Sequence, residues 1–167
     1  MTAVIVVALV LAVAVGAGLA RLRPRRQPAY KGKVRILVPF SGALDPVVLE
    51  AAIRVARNEE AVLVAAYLLV VPLQYPEDSP RKDQVALALP VLEAVEHAAL
   101  RAGVPVDARI EKGRSLTHAL RRLWEVEQFA RIVAPASGFT PKELAWILTH
   151  APVETIVLSP GPAELAA

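Results

Sequence analysis

The chain has 167 residues, 55% of them hydrophobic and 5% aromatic, with no cysteine and a formal net charge of +3. That length suits one domain with a buried core. The missing cysteines exclude disulfides, thiolate catalysis and cysteine-bound metals, which fits a cytoplasmic domain.

The N-terminus is the most apolar part. From Thr2 to Ala20 there is no charge, and Thr2 is the one polar side chain. About 19 residues at 1.5 Å rise make roughly 28 Å, close to the hydrocarbon thickness of a bilayer, so residues 1–20 are read as a transmembrane helix. Arg21, Arg23, Arg25 and Arg26 follow directly, and no Lys or Arg precedes the run. Basic residues mark the cytoplasmic flank, so the N-terminus is expected outside and the remainder in the cytoplasm, single-pass. Two rivals are a cleaved signal peptide ending near Gly18-Leu19-Ala20 and a buried globular helix. A signal peptide wants its charges before the apolar core, and here they come after.

Residues 21–32 read as a basic juxtamembrane linker, suited to anionic lipid headgroups through Arg21 to Arg26. With Lys31, Lys33 and Arg35, seven of the 19 bases stand in residues 21–35, so residues 36–167 carry 12 bases against 16 acids. The globular part is therefore mildly acidic and poor in aromatics for stacking, and no nucleic-acid partner is expected.

Residues 34–39 read as a buried strand, ended by Pro39 and Gly42. Asp45 is placed to cap a helix with Pro46 at its first position. Leu44, Val48, Ala51, Ala52 and Val55 give that helix one apolar face. Residues 61–71 are nearly all apolar and valine-rich, as in a strand covered on both sides. Pro72, Pro76 and Pro80 mark a loop. Asp83 is expected to cap a second helix reaching Ala102, with Leu89, Leu92, Val95 and Leu100 inward. Pro90 should kink that helix or mark its true start. Residues 104–111 alternate apolar and charged side chains, as in a strand wet on one face near a sheet edge. Gly113 turns the chain and Ser115 caps a third helix, with Leu116, Leu120 and Leu123 inward. Residues 130–134 form another strand. Thr140-Pro141-Lys142-Glu143 is a capping box with proline at the first helical position. Leu144, Ile147 and Leu148 are expected to face the core, and residues 155–158 close with a last strand. Strand and helix alternate throughout, which builds a parallel sheet with helices on both faces.

Ligands of such sheets bind beyond the carboxyl ends of the strands. Three loops qualify: Ser41-Gly42, Gly113 with Ser115, and Ser137-Gly138 leading to Thr140. Small residues also make tight turns, and that reading stands beside the ligand reading. No Walker A loop, G-x-G-x-x-G or G-x-S-x-G is present. Ser41 and Ser137 have no visible base. His97 and His118 fall mid-helix and are expected in solvent, His150 ends a helix, and no histidine pair has metal-ligand spacing. Trp124 and Trp146 read as packing anchors.

Residues 33–159 resemble a universal stress protein domain. The resemblance rests on the opening strand Val34-Arg35-Ile36-Leu37-Val38-Pro39, on Glu111-Lys112-Gly113-Arg114-Ser115, and on His150-Ala151-Pro152 followed by Thr155-Ile156-Val157. It implies a flavodoxin-like, five-stranded parallel sheet of order 3-2-1-4-5 over residues 33–160, with residues 161–167 as a tail, and a homodimer. ATP-binding members of that family carry an aspartate after the first strand, where this chain has Ser41. They also carry a phosphate loop G-x2-G-x9-G-[ST], of which only Gly138 is matched here. Pro135 stands at its first glycine and Pro141-Lys142 replace its end.

The expectation is therefore a membrane-anchored, non-enzymatic stress or regulatory domain with no cofactor or metal. It would act through a protein partner such as a transporter, because similar domains also occur attached to transporters. The alternative is an ATP- or AMP-sensing domain whose degenerate nucleotide or anion site uses Ser41, Gly42, Gly113, Ser137, Gly138 and Thr140.

Overall fold

The computed structural model describes residues 33–77, 79 and 82–159. The expected membrane span, the basic linker and the tail lie outside the described residues. No helix among the described residues is long and apolar enough to cross a membrane.

Five strands and four helices alternate: β1 (Arg35–Phe40), α1 (Pro46–Asn58), β2 (Val62–Val70), α2 (Lys82–Arg101), β3 (Val106–Gly113), α3 (Leu116–Val126), β4 (Arg131–Pro135), α4 (Pro141–His150) and β5 (Thr155–Leu158). The strands form one parallel sheet of order β3-β2-β1-β4-β5, the order implied by the resemblance.

Alternate side chains of the central strands enter two cores, one on each face. On one face Ile36, Val38, Phe40, Leu63, Ala65 and Val133 meet α1 and α2. On the other Leu37, Val64, Ala66, Leu68, Ile132 and Ala134 meet α3, Phe129, Phe139 and Ile147. These strand residues are at most 1% exposed, which explains the unbroken apolar runs of β1 and β2. Each large buried side chain contributes roughly 1.5–3 kcal/mol. Three of the four expected caps fall where the sequence put them: Asp45 accepts from the Val47 N–H, Ser115 from the His118 N–H, and Thr140 and Glu143 complete a capping box.

Four expectations are corrected. Leu89 and Leu100 are 44% and 75% exposed, and the buried line of α2 is Ala88, Leu92, Val95 and Ala99. The two alanines let α2 lie close to the sheet, and two bulky leucines would not. Pro90 does not start the helix, which begins at Lys82 with Asp83 inside its first turn. The carbonyl that Pro90 leaves without a helical donor is that of Ala86, and both residues are exposed to water. Leu148 is 57% exposed, and Ile147 is the buried residue of α4.

The charged face of β3 is the fourth correction, since it is not open to water. Asp107, Arg109 and Glu111 are only 13%, 25% and 29% exposed: Arg35 pairs with Asp107, Glu127 with Arg109, and Arg109 in turn with Glu111. β3 does stand at a sheet edge, and it runs from Val106 to Gly113.

Candidate functional site

β1 and β4 are neighbours, and the chain leaves them in opposite directions, toward β2 and toward β5. That makes the gap between their carboxyl ends the topological switch point. Ser41-Gly42 leaves β1 there, and residues 136–140 leave β4. The two loops touch. Gly138 has φ +85°, and a Cβ added to it would lie 2.6 Å from the Ser41 carbonyl oxygen. Only glycine fits both the backbone angle and the approach.

Five residues make up the β4–α4 loop, and Phe139 anchors it. That ring is 8% exposed and belongs to the core beneath α3 and α4. The start of α4 is occupied by the chain itself. Glu143 Oε2 accepts from both the Thr140 N–H and the Thr140 hydroxyl, each at 2.8 Å, and the Glu143 N–H returns to Thr140 Oγ1 at 3.3 Å. Pro141 has no N–H to offer. A carboxylate thus sits where an incoming anion would meet the helix N-terminus.

Gly113 belongs elsewhere. It ends the outer strand β3, paired with Val70, so β2 separates it from β1 and the switch point. A Cβ at Gly113 would lie 2.5 Å from the Ala119 backbone nitrogen, so its role is to let α3 close on β3. Ser115 Oγ accepts the His118 N–H at 3.1 Å as the α3 cap. Ser41, Gly42, Ser137, Gly138 and Thr140 therefore share one end of the sheet gap, and Gly113 does not.

Two hollows lie away from this place. One, of about 390 Å³, is lined by Ala94, His97, Leu100 and Arg101 on the outer side of α2. The other, of about 220 Å³, lies where α1 and α2 end, beside Arg57, Glu60 and Gly103. Among the described residues no three His, Asp or Glu side chains are grouped to hold a metal. His97 is exposed, whereas His118 is half-buried and its Nδ1 accepts the Arg114 N–H at 3.1 Å. Trp146 stacks on Trp124 at 5.3 Å and on His150 at 4.9 Å, joining α3 to α4.

Sequence reasoning missed the ionic groups. Arg35 and Arg109 both pair with Glu127, at 2.5 and 2.7 Å, just past the end of α3. Burial opposes ionisation of Glu127, but the hydrogen bond from Arg109 and the charges of Arg109 and Arg35 prevail and hold its carboxyl below the usual range. Burial pushes Glu111 the other way, upward, only partly offset by Arg109. The partners are 72 and 92 residues apart for Arg35, so no local pattern announces them.

No family model matches the chain, and no curated protein matches it in sequence. Solved structures do match. A universal stress protein from Archaeoglobus fulgidus in complex with dAMP is 15% identical, with a TM-score of 0.58 over 74% of this chain and 96% of that one. One from Arabidopsis thaliana with AMP bound is 15% identical, with a TM-score of 0.56 over 77% and 93%. One from Lactobacillus plantarum is 20% identical, with a TM-score of 0.56 over 75% and 97%. The chain has the universal stress protein fold. At such identities the likeness is one of fold, and function has to be argued from the site.

Proposed function

We propose that this universal stress protein-like domain is a non-enzymatic stress or regulatory module that works through protein partners and holds no ATP. Residues 1–20 would keep it at a membrane, N-terminus outside and domain in the cytoplasm, with Arg21 to Arg26 on anionic headgroups. The partners within reach would be a second copy of the chain and a neighbouring transporter or other membrane protein.

The observation that carries this reading is the start of α4. A triphosphate needs several backbone N–H groups aimed at one spot, from a glycine-rich loop that lets phosphate approach. Here five residues join β4 to α4, Phe139 is committed to the core, and Glu143 takes the Thr140 donors.

A second reading, a mononucleotide sensor, is favoured by one specific observation. The Archaeoglobus and Arabidopsis proteins of this fold were solved with dAMP and AMP, ligands with a single phosphate that ask less of the loop. The contact of Ser41 with Gly138 at the switch point would be its floor.

Calorimetric titration of ATP, and separately AMP, into a fragment spanning residues 31–167 distinguishes the two. No saturable heat at micromolar protein is expected for either nucleotide. A low-micromolar dissociation constant that is lost on substituting Ser137 or Thr140 would replace the first reading by the second.

A further inference from the structure

The loop after β2 is held down by arginines of the next β–α unit. Arg114 Nη1 donates to the carbonyls of Pro72 and Tyr75, each at 2.9 Å, and of Val71 at 3.3 Å. Carbonyls carry only partial charge, so this guanidinium remains a cation in need of an anion. Arg122 stands two turns along α3 from it. Between the two lies one carboxylate, Glu77 of the same loop. Its Oε1 is 2.6 Å from Arg122 Nη1, and its Oε2 is 3.9 Å from Arg114 Nε. The side chains of Glu77, Arg114 and Arg122 are 26%, 31% and 53% exposed, so a dissolved anion can reach the same seat. His118 Nδ1 is 3.7 Å from Glu77, but it accepts the Arg114 backbone N–H, so the ring fixes the main chain from which the Arg114 side chain extends. Lys112 fastens the far end of the loop through the Ser79 carbonyl, at 3.2 Å.

Two guanidiniums converging on one pair of oxygens is an arrangement that recognises oxyanions, phosphoryl groups above all. We infer that Arg114 and Arg122 form a phosphoryl-type oxyanion clamp in which Glu77 is a built-in competitor. An oxyanion bound there replaces the Glu77 carboxylate and loosens the loop near residue 77, while Arg114 keeps its three carbonyls. The clamp sits on the unit after the outer strand β3, apart from the β1–β4 gap, and does not depend on the reading of that gap. Because the anion and Glu77 exclude each other, whatever tightens one weakens the other equally.

The test uses the full chain, inorganic phosphate as the probe, and chloride at matched ionic strength as the control. Calorimetry should show Glu77→Gln binding phosphate about ten-fold more tightly than the wild type, within the usual span of such couplings. Arg122→Gln in the Glu77→Gln background should remove the gain. In the wild type, saturating phosphate should speed hydrogen exchange at the Ser79 amide, which bonds to the Pro76 carbonyl at 2.9 Å, while chloride leaves it unchanged. If Glu77→Gln does not fold, as judged by its melting curve, Arg122→Gln alone decides, since its Ser79 exchange should no longer respond to phosphate. Equal phosphate affinity with and without Glu77, a gain that survives loss of Arg122, or the same response to chloride would overturn the clamp.

Discussion

Glu60 and Gly103 are a natural comparison of one backbone position in two residues. Both follow a helix in the left-handed region, at φ +50° and +70°. Both lie in the same pattern of C-terminal hydrogen bonds. After α1, the N–H groups of Ala61 and Glu60 reach the carbonyls of Ala56 and Arg57. After α2, those of Val104 and Gly103 reach Ala99 and Leu100. Glycine adopts this conformation freely, whereas a side chain meets its own carbonyl. Glu60 is exposed to solvent. Glu60→Gly should therefore stabilise the domain by about 0.5–1 kcal/mol, less the extra freedom glycine gives the unfolded chain. Urea unfolding reads this as a higher midpoint at unchanged slope. A lower midpoint would mean that Glu60 makes a contact worth more than its strain. Gly113 and Gly138 teach the opposite lesson, since there it is the neighbouring backbone, at Ala119 and at Ser41, that leaves no room for a side chain.

At the scale of elements, the ion network explains how an edge strand with a charged face is kept in the fold. Glu127 joins the end of α3 to Arg35 of β1 and Arg109 of β3, so one carboxylate ties three elements. Removing it leaves two largely buried guanidiniums short of a partner. Glu127→Gln should cost roughly 1–3 kcal/mol at neutral pH. The pH dependence follows from the direction of the shift. The folded carboxyl titrates below its ordinary value of 4.5, so its contribution is complete above that value and is lost as pH falls through the lower, folded one. The stability gap between wild type and Glu127→Gln should be constant from neutrality down to about that pH, and should close below it. Glu111, whose carboxyl is raised, acts with the opposite sign: protonation there relieves a buried charge as the pH falls. Denaturant unfolding of both proteins at pH 7 and at successive steps below 4.5 checks the difference. A gap that persists unchanged into strong acid would show that the charge of Glu127 is not what holds the three elements.

At the scale of the whole molecule, the two edges of the sheet differ. β3 is covered on one face by α2 and closed on the other by its ions and by α3. β5 is a short edge whose four residues, Thr155 to Leu158, are all half-exposed, and Glu154 before it is tied to Arg131 at 2.8 Å. An apolar strand left half-covered at an edge invites pairing. A dimer formed through β5 is therefore the expected state in solution. Light scattering on residues 31–167 should give twice the monomer mass, and a clean monomer at high concentration would remove β5 as the pairing edge.

The sequence by itself determined the alternation of five strands and four helices, three of the four expected helix caps and the parallel class of sheet. Those features are written in local pattern: runs of valine, a proline after an aspartate, a threonine three residues before a glutamate. The strand order came with the resemblance, and the folded sheet has that order. Only the tertiary structure decided which side of α2 is buried, because alanine and leucine both fit the period and the distance to the sheet chose between them. It alone paired Arg35 with partners far along the chain and laid Glu77 between Arg114 and Arg122. It also turned the Thr140–Glu143 box from a helix signal into an occupied anion seat, and showed that Gly138 rests on Ser41 while Gly113 serves α3. Periodicity records what each residue prefers along its own element. Contacts between elements depend on how the packed layers bring distant residues together, and no spacing in the chain encodes that distance.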